Sequence, residues 1–155
     1  MAEPYIAEAL DAYVKLLRAG RSVLARVEPR LAAAALTPTQ FGVLEAILHK
    51  GPLSQRELCR KVLTSPGNMT DLVDKLEARR LVHRARQSSD RRAVRVELTR
   101  AGRDLIEPLF ARHAEDVAAA MAGLDAAELR QLAGLLRRLG LAAERETLEV
   151  ATDDN

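Results

Sequence analysis

Residues 54–79 read Ser-Gln-Arg-Glu-Leu-Cys-Arg-Lys-Val-Leu-Thr-Ser-Pro-Gly-Asn-Met-Thr-Asp-Leu-Val-Asp-Lys-Leu-Glu-Ala-Arg. Two helix starts lie inside this stretch. Ser54-Gln55-Arg56-Glu57 has the form of a capping box, in which a hydroxyl and a carboxylate three residues apart satisfy each other's free backbone N–H groups. Ser65-Pro66-Gly67-Asn68 is the second start: serine accepts from the first turn, and proline takes the first helical position, where no N–H is needed. Leu58, Val62 and Leu63 follow the first start, and Met69, Leu72, Val73 and Leu76 the second, at the steps of three and four that make one helical face. Two short helices joined by a three- or four-residue turn form a helix–turn–helix pattern.

The flanks extend this reading. Upstream, Thr37-Pro38-Thr39-Gln40 opens a helix with Phe41, Leu44, Ile47 and Leu48 as its stripe, and Gly51-Pro52 ends it. Before it, residues 4–35 carry Ile6, Leu10, Tyr13, Leu17, Leu24, Val27 and Leu31 on one face; Gly20 weakens the middle, and Pro29 is expected to bend or divide the helix. Downstream the period changes to two. Residues 81–86 can extend, and Val94, Val96 and Leu98 alternate with Arg95 and Glu97, with the polar run Gln87–Arg91 between them, so a β-hairpin with an arginine-rich tip is expected. Thr99 then caps a helix through Leu105, Ile106, Leu109, Phe110, Val117 and Met121 that contains Pro108. Asp125-Ala126-Ala127-Glu128 caps a last one that should bury Leu129, Leu132, Leu135, Leu136 and Leu139. The predicted fold is mainly α with a small β-hairpin wing. The expected organisation is an N-terminal dimerisation helix at 1–35, a winged helix-turn-helix head at 36–100, C-terminal dimerisation helices at 101–148 and a flexible tail at 149–155.

Composition narrows the function. The 155-residue chain is 48% hydrophobic but only 3% aromatic, which suits aliphatic layers of helix on helix. No apolar run approaches the roughly 20 residues that cross a bilayer. Met1-Ala2-Glu3-Pro4 lacks a charged-then-apolar secretory pattern, and the single Cys59 excludes an internal disulfide, so a cytoplasmic protein is expected. His49, His83 and His113 fall in three different elements without metal-ligand spacing. There is no phosphate-binding glycine loop, Gly-x-Ser-x-Gly elbow or HExxH helix. No enzyme activity, cofactor or metal is expected. From Lys50 to Arg100, 13 basic residues face six acids, an excess of seven in a chain whose net charge is only +2. A basic centre between acidic arms is what a phosphate-facing module needs.

On these grounds double-stranded DNA is the expected partner. The helix from Ser65 to Arg79 has the length to lie in a major groove. Asn68 can pair bidentately with adenine, and Thr70 can hydrogen-bond or meet a thymine methyl. Ser65 and Gly67 sit where bare N–H groups attract phosphate, and Lys75 suits a backbone contact. Arg91 and Arg92 at the hairpin tip suit a minor groove.

Leu36-Thr37-Pro38-Thr39-Gln40-Phe41, Ser65-Pro66-Gly67-Asn68-Met69-Thr70, Leu72-Val73-Asp74-Lys75-Leu76-Glu77 and Ser89-Asp90-Arg91-Arg92…Leu98-Thr99 together make the chain resemble the MarR family of transcriptional regulators, over about Tyr5 to Ala142. The resemblance implies that Asp90 orients an inserted Arg92. It also implies a homodimer built from the first, fifth and sixth helices, which would bury stripes that so small a head cannot cover. The Gly67-Asn68-Met69-Thr70 version is similar to the branch answering quinones, phenols and related aromatics. A homodimeric repressor on a pseudo-palindromic operator, released by a small aromatic effector, is therefore expected. Tyr13, Phe41 and His113 are the candidate pocket residues. The alternatives are a ligand-independent regulator or activator, an interaction module whose basic face binds an acidic protein or RNA, and a thiol-based sensor through Cys59, a residue that also suits simple packing.

Overall fold

The computed structural model describes the backbone of residues 3–62, 64–87 and 90–153, and the side chains of residues 3–62, 64–86 and 94–142. The elements are α1 (Glu3–Ala33), α2 (Pro38–Lys50), α3 (Gln55–Val62), α4 (Pro66–Ala78), β1 (Val82–Gln87), β2 (Asp90–Leu98), α5 (Arg100–Ala120) and α6 (Ala126–Asp153). They fall into two units, Met1–Ala120 and Met121–Asn155. The fold is mostly helical with one antiparallel hairpin. Among the described residues no single helix is long and apolar enough to cross a membrane.

Local chemistry explains where the helices start. Thr37 Oγ1 accepts the Gln40 N–H at 3.1 Å, and Gln40 Oε1 accepts the Thr37 N–H at 3.0 Å. Ser54 and Glu57 make the same reciprocal pair, at 3.2 and 2.8 Å. Ser65 Oγ accepts from Asn68 N at 3.3 Å, and Thr99 Oγ1 from Gly102 N at 2.9 Å. At the second unit, Asp125 Oδ1 accepts from Glu128 N at 2.9 Å while the Glu128 carboxylate accepts from Asp125 N at 2.8 Å. Each cap satisfies donors that a helix start otherwise leaves bare.

The ends of α1 and α4 share one device. Leu36 N donates to Leu31 O, and Leu81 N to Leu76 O, closing each final turn at 2.9 and 3.0 Å. The left-handed residue this closure needs is Ala35 (φ 53°) in one case and Arg80 (φ 57°) in the other, not the usual glycine.

The core of the first unit lies where α2, α3, α4, the hairpin and α5 converge. Leu44, Leu58, Met69, Val73, Leu76, Val96 and Ile106 are fully buried there. Gly102 lets α5 start against the hairpin: a Cβ on it would stand 1.9 Å from the Leu81 carbonyl oxygen. In the hairpin, Val82 pairs with Leu98 and the register runs regularly to Arg86 and Val94, then becomes irregular between Arg86 and Gln87. Leu53 adds a third, one-residue strand, exchanging two backbone hydrogen bonds with Val96 at 2.7 and 3.2 Å.

Several expectations change. α1 is not divided at Pro29, which removes one backbone hydrogen bond while the helix runs on to Ala33. α5 likewise runs through Pro108. The hairpin is longer than expected, with β1 reaching Gln87 and β2 starting at Asp90, so Asp90 and Arg91 belong to a strand and not to the connector. In α6, Leu135, Leu136 and Leu139 are exposed, not buried. Helical backbone continues to Asp153. Leu63, read as an inward residue of α3, lies outside the described residues.

Candidate nucleic-acid interface

α4 has two faces of opposite character. Met69, Val73 and Leu76 are wholly buried, which orients the helix, while Ser65, Gly67, Asn68, Thr70 and Lys75 are exposed. Gly67 has nothing within 4 Å of the point where a Cβ would stand. Its missing side chain therefore leaves the first turn open to close approach instead of serving packing. Asn68 spends only its backbone N–H, on the Ser65 cap, and its side chain lies in solvent. Lys75 pairs with Asp71 one turn earlier at 2.7 Å, an exposed contact that phosphate could replace at little cost.

Behind this face runs a polar network that the sequence reading missed. Arg84 of β1 donates to Asp74 and to Glu77 of α4, both at 2.6 Å, and to Gln55 Oε1 of α3 at 3.2 Å. Glu77 also accepts the Arg84 backbone N–H at 3.0 Å. Gln55 in turn donates to Thr70 Oγ1 at 3.1 Å, and Thr70 Oγ1 donates to the Pro66 carbonyl at 3.1 Å. Partial burial works against the Arg84 charge, but the hydrogen bonds to Asp74 and Glu77 outweigh it and raise its pKa above the ordinary arginine value. β1, α3 and α4 are thus tied by one guanidinium.

Other members of the basic cluster are also structural. Arg79 caps the end of α1 by donating to the Ala35 and Ala34 carbonyls at 2.5 and 3.2 Å. Arg95 donates to the Pro52 carbonyl at 3.0 Å and lies 3.4 Å from Glu57. The Ser54 N–H and hydroxyl, with help from Arg95 and Arg60, hold the Glu57 carboxyl below its usual range. Part of the positive excess thus goes to fixing the head, and Arg56 and Arg60 remain exposed on α3. Asp90, Arg91 and Arg92 lie on the β2 backbone, and their side chains lie outside the described residues.

Of the three candidate pocket residues, two come together. Phe41 of α2 and His113 of α5 meet as a tilted pair with ring centroids 4.5 Å apart, and His113 Nδ1 is buried with no hydrogen-bond partner among the described residues. Tyr13 stands apart, 58% exposed on α1 and about 21 Å along the helix from Val27, where α1 first becomes buried. A second ring pair, His49 with Phe110 at 4.6 Å, joins α2 to α5 and was not anticipated. Nor was a cleft of about 420 Å³ between α1 and α5, lined by Arg30, Ala33, Ala34, Leu105, Leu109 and Arg112. Arg30 there clamps Asp116 through both carboxylate oxygens, and this hydrogen bonding holds Asp116 below its ordinary value. Cys59 is half-buried against the core of the head. Among the described residues no cluster of His, Cys, Asp or Glu could hold a metal.

The arrangement has close counterparts. A model of the MarR family matches residues 36–93. The HTH-type transcriptional regulator MhqR of Bacillus subtilis strain 168 is 31% identical over 138 residues, spanning 89% of this chain and 95% of MhqR. The chain belongs to the MarR family. The MarR match covers α2, α3, α4, β1 and the start of β2, which are the elements that carry the network and the exposed face of α4.

Two solved structures are similar over most of the chain. Bordetella bronchiseptica BpsR, whose DNA binding is regulated by 6-hydroxynicotinic acid, is 28% identical with a TM-score of 0.73, over 84% of this chain and 98% of its own. CouR from Rhodococcus jostii RHA1, solved with p-coumaroyl-CoA, is 28% identical with a TM-score of 0.77, over 83% of this chain and 91% of its own. As a MarR family member the protein is of the DNA-binding transcriptional regulator class, and its relatives are regulators, not enzymes.

Proposed function

We propose that the protein is a homodimeric repressor that binds a pseudo-palindromic operator and is released by a small acidic or phenolic aromatic ligand. The observation that carries this reading is the division of α4 into a sealed apolar face and an open polar one. Asn68 and Thr70 read base edges in the major groove, Ser65 and Gly67 meet phosphate at the helix start, and Lys75 contacts the backbone. Arg91 and Arg92 enter the flanking minor groove, with Asp90 orienting the second.

Dimerisation is supported by the apolar residues that the single chain leaves in solvent. Leu10 and Tyr13 on α1 are 60% and 58% exposed, and Leu139 on α6 is 55% exposed. Large side chains repeated along one helical face are stable in water only when covered. A twofold partner covers α1, α5 and α6 and sets two α4 helices about 34 Å apart, one turn of DNA. The ligand reading is supported by the arginine-flanked apolar cleft between α1 and α5, and by the aromatic ligands of BpsR and CouR. A ligand that favours one spacing of the heads shifts the population away from the DNA-competent form.

Selection of bound sequences from a random duplex pool tests the reading. The expected result is an inverted repeat with half-sites one turn apart, bound with a steep salt dependence by a species that sediments as a dimer. Titration of hydroxylated aromatic acids, phenols and quinones against that complex should release it. Enrichment of no sequence would sink the operator assignment, and indifference to every compound would sink the ligand.

A further inference from the structure

We infer that Thr70 reads a thymine 5-methyl group and does not donate a hydrogen bond to a base, and that Gln55, one helix away, is the positioning residue that makes it do so. The inference rests on the assignment of Thr70 to the base-reading face. A threonine hydroxyl has one proton and two lone pairs. Here the proton goes to the Pro66 carbonyl at 3.1 Å, and the Gln55 side-chain amide occupies a lone pair at 3.1 Å. The hydroxyl has no proton left for a base.

Staggering about Cα–Cβ then sends the γ-methyl to the other side of Cβ, on a residue exposed to solvent. The group offered to the groove is apolar, and the major groove contains one apolar group, the thymine methyl. Gln55 is not free to let go, because its own carbonyl oxygen is held by Arg84 Nε at 3.2 Å, and Arg84 is anchored by Asp74 and Glu77. The orientation of Thr70 is thus set by residues that need touch no base.

The test is a deoxyuridine scan of the operator with the full-length protein, in which each thymine of a half-site loses only its methyl. With the wild-type protein, one position should cost about fourfold in affinity per half-site, the value of one buried methyl. In Thr70→Ser that penalty should vanish, while Thr70→Val, which keeps a methyl and lacks the hydroxyl, should retain it. Gln55→Leu should shrink the penalty at that same position and at no other. If Thr70→Val loses the penalty and Thr70→Ser keeps it, the hydroxyl is the reader and the inference is overturned. A penalty untouched by Gln55→Leu overturns the positioning role. Absence of any sequence-preferring complex would instead overturn the operator assignment itself, so the two failures are distinguishable.

Discussion

The reading head and the first two dozen residues of α1 have the same kind of sequence and opposite fates. Both carry large aliphatics at steps of three and four. In the head, Leu44, Leu58 and Leu76 lose all contact with water, whereas in α1 Leu10 and Leu17 stay 60% and 43% exposed and burial begins only at Val27. Periodicity states which residues share a face, but not whether that face meets its own chain. The head closes on itself because three short helices and a hairpin supply facing stripes within one stretch of chain. α1 reaches past them and leaves its apolar face in solvent.

The largest expected effect separates the two regions directly. Leu10→Asp with Leu17→Asp should raise the dimer dissociation constant about a hundredfold or more, since each protomer would place two charges on a face built to be buried. Sedimentation should report a monomer, and the melting temperature should lose its dependence on protein concentration. An unchanged dimer would show that the exposed stripe of α1 serves something else. Leu76→Ala should act inside the head, costing about 2–5 kcal/mol in urea unfolding whatever the oligomeric state. Gly102→Ala should cost about 1–3 kcal/mol, because the new methyl would meet the Leu81 backbone, which can yield only by moving the wing from α5. Arg92→Ala should leave the fold intact and weaken operator binding at least tenfold, about 1.4 kcal/mol, as read by gel shift at physiological salt.

The smallest effect lies at the border between the two regions, where Arg30 of α1 holds Asp116 of α5. Asp116 titrates below its ordinary 3.8 because Arg30 hydrogen-bonds its charged form, and Glu57 below its ordinary 4.5 because Ser54 does the same. A depressed folded-state value means the unfolded chain takes up the proton first. The stabilisation is therefore complete above the ordinary values and fades as the pH falls through the lower, folded ones. Asp116→Asn should lower stability in the neutral region and change it least at the acid end, where Asp116 is already protonated, so the acid limb of a stability-against-pH curve flattens. A curve that keeps its slope would mean that the α1–α5 clamp contributes nothing.

The sequence showed most of the scaffold and part of the site. The starts at Thr37, Ser54, Ser65, Thr99 and Asp125 were legible because a cap and the N–H it accepts from lie within three residues, so the chemistry is complete in a short window. The division of α4 was legible for the same reason. The Arg84 network was not: Arg84 and Gln55 are 29 residues apart, and nothing local marks either as a partner of Thr70. Leu53 was hidden in the same way, since a one-residue strand has no period. Pro29 did not divide α1, because a proline removes a single hydrogen bond and a long helix can absorb that loss.

From the sequence alone come the helix starts, the two-faced α4, the change of period at the hairpin and the family resemblance. All of these rest on interactions between near neighbours or on patterns repeated along one element. Only the tertiary structure decided which charges are spent inside the head, that Phe41 meets His113, that Arg30 reaches Asp116 across 86 residues, and that the Thr70 hydroxyl is already occupied. Those are matters of which surfaces meet, and that is settled when the apolar faces close on one another.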